Sequence, residues 1–240
     1  MASIVTAIIT AFLGVVTGFL TSEWRKREER IKEWDRVRTR YLNPLRTSSR
    51  ELPDWLDQVV QKLRDPTSER KKQLLDWFQR IKDTAEKRRD RGGFFWECNG
   101  ELYFALATMY ATARHFALAN RVRSELPYLE FRDRERHAVS DEELLSRIND
   151  VRDAFSGEKG LWDTLQESIG EALTKPDGTL RSYREFCICL VNDDEWVWFL
   201  RLIDFYREVG DKAETLEQVS LKLRDLRELV IRMSERRIWF

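Results

Sequence analysis

The chain has 240 residues, with 42 Lys and Arg against 42 Asp and Glu, and this balance disfavours a protein built around nucleic-acid phosphates, which usually carries a basic excess. Apolar residues make up 42% of the chain, enough to bury a core although 35% of residues are charged, so the composition excludes a disordered chain. Only ten Gly and five Pro occur, too few for the many turns of an all-β fold.

The first predicted element is a transmembrane helix over residues 2–21. Residues 2–20 contain no charged side chain. At about 1.5 Å per residue, this run spans roughly 28 Å, the thickness of the hydrocarbon core of a bilayer. A cleaved signal peptide is the alternative. It is disfavoured because no Lys or Arg precedes the run and no small-residue cleavage site follows it.

A basic helix of mixed charge is predicted over residues 22–42. Eight Lys and Arg lie between Arg25 and Arg40, and none precedes the apolar run. Because Lys and Arg stay on the cytoplasmic side, we expect a single-pass protein of the inner (plasma) membrane, with its N-terminus outside and the rest in the cytoplasm. Trp24 lies where an interfacial aromatic anchor is expected. Contact with lipid headgroups is predicted for Arg25, Lys26, Arg27 and Arg30, the alternative being a topology signal on a solvated helix.

Small residues recur every three or four positions along one face of the predicted anchor. The face comprises Ser3, Ala7, Thr10, Gly14, Thr17 and Thr21, widened by Ala11 and Gly18. The hydrophobic effect between helices is weak in lipid, and small residues let two backbones approach closely. GxxxG spacing arises by chance in many apolar segments, so the argument depends on the continuous small face. It predicts packing against other copies, giving a homo-oligomer, or against a partner helix.

A cytoplasmic helical domain is predicted over residues 43–240. Asn43-Pro44 is expected to end the basic helix and to start the next one. The most apolar segment of this domain, residues 101–119, contains only 12 consecutive uncharged residues, so it is predicted to be a central core helix rather than a second span. The fold class is therefore all-α: one N-terminal transmembrane helix followed by a cytoplasmic multi-helix bundle.

Local signals place further helices in this domain. Ser182 and Glu185 fit a capping box, and residues 175–178 read as a turn. The last helix carries apolar residues at alternating spacings of three and four, which is typical of a coiled-coil seam. Its seam comprises Leu216, Val219, Leu223, Leu226, Val230 and Met233.

No catalytic, cofactor-binding or metal-binding residues are predicted, and the chain is not expected to be an enzyme. It contains no nucleotide-binding glycine loop, no zinc-protease motif and no nucleophile elbow. Its three cysteines, Cys98, Cys187 and Cys189, fit a reducing compartment, and Cys-x-Cys with only two His is a poor zinc site. His115 follows Arg114 in the apolar helix and is expected to be a polar group of the core or of an interface rather than a general base.

The order of these features resembles uncharacterised bacterial single-pass membrane proteins with helical cytoplasmic domains. The resemblance covers about half of the chain and rests on the apolar N-terminus, the basic helix, YLNPLR at residues 41–46 and the aromatic and alanine-rich run at residues 92–119. Similar proteins serve as effectors in anti-phage systems, beside cyclic-nucleotide sensors or guided Argonaute proteins. The resemblance carries over no catalytic residue.

Three hypotheses remain open at this point. The first is an effector of abortive infection that oligomerises and perturbs the membrane when a cytoplasmic protein partner signals, this partner being a nucleic-acid-guided or cyclic-nucleotide sensor. The second is a non-catalytic, membrane-tethered scaffold or adaptor that recruits a cytoplasmic protein. The third is an enzyme with an unrecognised site. The first two imply a lipid bilayer as a partner, and none requires direct binding of nucleic acid or a cofactor.

Overall fold

A computed structural model describes residues 21–29, 31–65, 69–87, 94, 98–125, 141–156, 160–192, 196–208 and 213–235. These residues are helical almost throughout, and the only β-pairing among them is an isolated bridge between Thr174 and Leu180. The all-α class of the described chain is thereby confirmed. The predicted anchor lies outside the described residues except for Thr21.

The helices follow one another in chain order from Thr21. A leading helical segment, residues 21–29 and 31–37, runs into a π-helical turn at Arg38–Leu42. The α-helices are α1 (Asn43–Leu63), α2 (Glu69–Lys87), α3 (Tyr103–Glu125), α4 (Asp141–Phe155), α5 (Asp163–Ala172), α6 (Tyr183–Asn192), α7 (Trp196–Glu208) and α8 (Ala213–Glu235).

Helix α3 is the central helix of the bundle. Its buried residues lie all around its circumference, from Ala105 and Met109 to Ala119 and Val122, because α1 and α5 both pack against it. The approach of α5 is close at Gly170, where an added Cβ would lie 2.9 Å from the backbone nitrogen of Ala117. Each large apolar side chain buried here contributes about 1.5–3 kcal/mol to folding. The prediction of a core helix in this segment is confirmed.

Helices α1 and α8 form the most extensive helix pair, and α4 packs beside them against α8. The six predicted seam residues of α8 are all buried. Helices α2 and α7 form another pair, in which the rings of Phe78 and Tyr206 stack with centroids 5.2 Å apart. The hydroxyl of Tyr206 hydrogen-bonds to that of Thr112 at 2.6 Å, and this contact ties the pair to α3.

Two predicted features between α5 and α6, the capping box at Ser182 and the turn at residues 175–178, are confirmed. The Ser182 amide donates to the Glu185 carboxylate at 2.7 Å, and the Glu185 amide donates back to the Ser182 hydroxyl at 3.3 Å, which is the reciprocal capping box. The hydrogen bond from Lys175, which is the largest effect, and those from Ser182 lower the pKa of Glu185 to about 2. In the preceding turn, Gly178 has φ of +79°, a conformation that favours glycine.

Candidate functional site

The predicted association face lies almost wholly outside the described residues. Ser3, Ala7, Thr10, Ala11, Gly14, Thr17 and Gly18 precede the first described position, and Thr21 is exposed at the start of the leading segment. Across the described ranges, which begin at Thr21, no helix combines the length and apolar character needed to cross a bilayer.

The predicted headgroup-binding residues lie on an exposed stretch of helix. Arg25, Lys26 and Arg27 are all exposed, and Arg30 lies outside the described residues. The ammonium of Lys26 pairs with Glu23 at 3.0 Å, within the same helix. One turn further on, Lys32 pairs with Glu28 at 2.6 Å, and this bond lowers the pKa of the Glu28 carboxyl. Part of the positive charge of this segment is therefore neutralised by its own carboxylates.

An α-helix begins at Asn43, as predicted, but the leading segment runs into it through the π turn, so the prediction that the basic helix ends there is wrong. The amide of Asn43 donates to the carbonyl of Arg38, five residues back, and Leu42 keeps right-handed helical angles. The π turn carries the helix past Pro44, which has no amide hydrogen to donate, and into α1. Pro53 also lies inside α1 and is buried. Residues 31–63 are helical without interruption.

Side chains of the π turn fix this helix to the bundle. Val37, Tyr41 and Leu42 are buried in the core, so the helix is anchored on both sides of residue 42. The Tyr41 hydroxyl donates to the carboxylate of Glu125 at the end of α3, and burial, with this bond, raises the pKa of Tyr41. Arg40 also pairs with Glu125, at 3.2 Å. We call this group of Arg40, Tyr41 and Glu125 the clasp.

The clasp and the π turn together connect the leading segment to the bundle, and we call this connection the joint. The orientation of the leading segment is set by α1 and α3, which are core helices. Residues 31–63 are helical throughout, so no non-helical linker separates this part of the leading segment from α1.

Comparison of the chain with protein-family models, with curated proteins and with solved structures gives no match.

A buried polar pair joins α1 to α3. The Ser48 hydroxyl lies 2.9 Å from Nδ1 of His115, and both side chains are at most 2% exposed. Burial lowers the pKa of His115 to about 4, so the ring is neutral at pH 7. Nε2 of His115 and the hydroxyl of Ser49 find no hydrogen-bond partner in the described structure. Because both side chains are buried, the Ser48–His115 pair is not accessible to a substrate. His115 was predicted to be a polar group of the core or of an interface, and its burial confirms this.

A second polar cluster, which the sequence did not predict, connects α3, α4 and α5 around the buried side chains of Arg152 and Gln166. Arg152 is 3% exposed, and its Nη2 donates to the Glu167 carboxylate at 3.0 Å. Arg123 donates to the same oxygen at 3.1 Å. Gln166 donates to the carbonyls of Arg152 and Leu161, at 2.9 and 2.7 Å, and so closes the loop between α4 and α5. Asp163 and Glu167 balance the two arginines, which fits a structural cluster better than an anion site.

One signal for this cluster was present in the sequence. Gln166 lies four residues after Trp162 and three before Ile169, so it interrupts an apolar stripe at a position that faces the core. Arg152 gave no such signal, because an arginine between helical apolar residues is ordinarily exposed.

The three cysteines are free and buried. The Tyr183 hydroxyl donates to the carbonyl of Cys98 at 2.7 Å, which brings α6 against the residues preceding α3. A hydrogen bond with the Cys98 thiol, which is the largest effect, and one with Tyr183 lower the pKa of Cys187. No group of three metal-ligating side chains occurs among the residues for which the structure gives positions.

A row of aromatic rings lies where α1, α2, α3 and α6 meet at the surface. Neighbouring ring centroids are 5.6–6.1 Å apart along the row Trp77, Phe104, Trp55, Tyr103 and Tyr183, which we call the aromatic strip. Tyr103 is 45% exposed and the other four rings are half-buried. The ammonium of Lys62 lies 5.1 Å from the ring centroid of Phe104, within cation–π range.

Proposed function

We propose that this protein is a membrane-anchored effector of a bacterial anti-phage system of the abortive-infection type. In this proposal, residues 2–21 cross the inner membrane with the N-terminus outside, and the bundle lies in the cytoplasm. Several copies associate through the small face of the anchor and perturb the membrane. The trigger comes from a cytoplasmic protein partner, which is a nucleic-acid-guided sensor or a sensor in cyclic-nucleotide signalling.

The observation that carries the proposal is the joint between the leading segment and the bundle. An effector of this kind must convert an event in the cytoplasm into a movement of helices in the membrane. A flexible linker at residues 38–44 would uncouple the two parts, whereas the π turn and the clasp supply a stiff connection between them. A packing change at α1 or α3 can therefore rotate or tilt the leading segment.

The polar groups of the bundle support a role without catalysis. The Ser48–His115 pair has the residue types of a nucleophile and a base, yet both side chains are sealed inside the α1–α3 interface. Arg152 is likewise buried, and its charge is balanced by the partly exposed carboxylates of Asp163 and Glu167. Catalytic groups act where a substrate can reach them, and neither His115 nor Arg152 is accessible.

The test measures membrane potential in bacterial cells that carry the gene with its genomic neighbours and are challenged with phage. We expect the wild-type protein to depolarise the membrane. Replacing Gly14 and Gly18 with Leu blocks close helix approach but keeps the anchor apolar, so the double variant should insert and fail to depolarise. The matched control is Ile8→Leu on the bulky face, which should leave depolarisation intact. Normal depolarisation by the inserted double variant would exclude the small face as the working surface.

The aromatic strip favours a second candidate function, a membrane-tethered scaffold or adaptor for a cytoplasmic protein. Clustered, partly exposed Trp and Tyr are typical of the centres of protein interfaces. If this candidate is right, the product of a neighbouring gene co-purifies with the wild type, and Tyr103→Ala weakens that association. Leu221→Ala, which removes an exposed apolar side chain from α8, serves as the control. Cells that keep their potential while Tyr103→Ala loses the partner would favour the scaffold over the effector.

A further inference from the structure

The apolar side of the leading segment is only partly covered by its own chain. Val37 and Tyr41, near the joint, are 3% and 5% exposed. Further from the bundle, Ile31 is 43% exposed and Trp24 is 71% exposed. The side chain of Trp24 therefore presents a large apolar surface that the described chain does not cover. In the described structure, the bundle therefore covers the apolar residues at the joint and leaves Trp24 and Ile31 uncovered.

The two uncovered residues continue the spacing of the small face in the predicted anchor. Trp24 follows Thr21 by three residues and Thr17 by seven, and Ile31 follows Trp24 by seven. A repeat of seven keeps residues on one seam when helices coil around each other with a left-handed twist. Two helices joined along Thr17 and Thr21 would therefore bring Trp24 and Ile31 against the same residues of the other helix. Glu28 follows Thr21 by seven residues and lies on this seam too, where its ion pair with Lys32 offsets its charge.

The small net charge of this segment opposes the pairing of two copies only weakly. Residues 21–37 contain six basic and five acidic residues, a net charge of +1. Ion pairs within the helix, such as those of Lys26 with Glu23 and Lys32 with Glu28, further reduce repulsion between two copies. Attraction to anionic headgroups grows with each uncompensated Lys or Arg, and this segment has almost none in net terms.

We propose that Trp24 and Ile31 form a contact between two copies of this chain, in which the leading segments pair in parallel. The arrangement is parallel because both copies are inserted in the membrane with the same orientation. The inference rests on the proposed function, since it takes the anchor to be a membrane helix that self-associates. It adds that the association continues beyond the bilayer up to the joint, so each bundle is attached to a helix pair rather than to a lone helix.

Cross-linking of the full chain in membranes tests this contact. In a symmetric parallel pair the two copies of residue 31 face each other, so Ile31→Cys should give a covalent dimer with a short bismaleimide. Glu33→Cys is the matched control, because residue 33 is exposed on the opposite side of the same helix. The unmodified chain, with its three buried cysteines, gives the background. We expect several-fold more dimer from Ile31→Cys than from Glu33→Cys.

Equal cross-linking at the two positions, or none at residue 31, would overturn the inference. If the Ile31→Cys thiol gives no dimer and reacts instead with a maleimide-headgroup lipid in the same membranes, lipid covers this face. The cross-linking result can be distinguished from a failure of the proposed function. Dimer at residue 31 without depolarisation supports the helix pair and opposes the effector, whereas depolarisation without dimer does the reverse.

Discussion

The hydroxyl of Ser48 on α1 lies 2.9 Å from Nδ1 of His115 on α3, and 67 positions of sequence separate the two residues. The pair is a buried polar contact between two core helices, which are also joined by the partly exposed ion pair of Arg114 with Glu51 at 2.8 Å. Because His115 is fully buried, its pKa falls from 6.5 to about 4. The folded protein therefore keeps this ring neutral at pH values where the unfolded chain already binds a proton.

This difference predicts that stability decreases as the pH falls from about 6.5 to about 4, through proton uptake by His115 in the unfolded state. The loss should reach on the order of 3 kcal/mol, at about 1.4 kcal/mol per pH unit, and His115 should add nothing further below its folded pKa. Urea unfolding of residues 21–240 at pH 7, 6 and 5 measures it. His115→Asn keeps a partner for Ser48 and should flatten the pH dependence. Equal slopes for the two proteins would show that His115 is not the group responsible.

Met109→Asp should unfold the bundle or cost about 3–5 kcal/mol. Met109 is fully buried at the centre of α3, so the new carboxylate would be left without water or a partner. Thermal unfolding followed by circular dichroism measures the loss. Ser124→Asp on the exposed side of the same helix is the control and should change stability by less than about 0.5 kcal/mol. A stable, well-packed Met109→Asp variant would be incompatible with the central position of α3.

Arg152→Ala should be destabilising, by about 1.5–3 kcal/mol, because it removes the hydrogen bonds that the buried guanidinium donates to Glu167 and to the carbonyl of Asp163. Arg147→Ala on the same helix provides the comparison. Arg147 is only half-buried, and its pair with Asp150 at 3.4 Å spans less than one helical turn, so its loss should cost about 1 kcal/mol or less. Denaturant midpoints of the two variants decide between them. Similar small effects would mean that the buried cluster contributes little to the packing of α4 against α5.

The joint is tested by two substitutions at Tyr41. Tyr41→Phe keeps the buried ring and loses the hydrogen bond to Glu125, so it should cost about 1 kcal/mol. Tyr41→Ala also empties the ring site and should cost about 3–5 kcal/mol. Trp24→Ala removes a larger but exposed ring from the same segment and should change the stability of residues 21–240 by less than about 0.5 kcal/mol. If Tyr41→Ala is as mild as Trp24→Ala, the leading segment is not held by the bundle.

The helices themselves were predictable because their signals are local. The capping box at Ser182 and the seam of α8 both depend on residues within a few turns of one another. Each was read from spacing alone. The helix break predicted at Asn43-Pro44 is absent because tertiary packing outweighs the local signal there. Proline is a local signal for a helix start, but burial of Tyr41 and Leu42 holds the backbone in a π turn that carries the helix past it.

The sequence by itself determined the all-α class, the central position of the α3 segment and the burial of His115, since apolar periodicity is a property of neighbouring residues. It could not determine which polar groups meet inside the bundle. Ser48 and His115 lie 67 positions apart, whereas Arg152 and Glu167 lie on consecutive helices. Each pair meets only when its helices pack, because the free energy of burial selects the partner. The tertiary structure alone decided these pairs. It also decided the joint that connects the leading segment to the core.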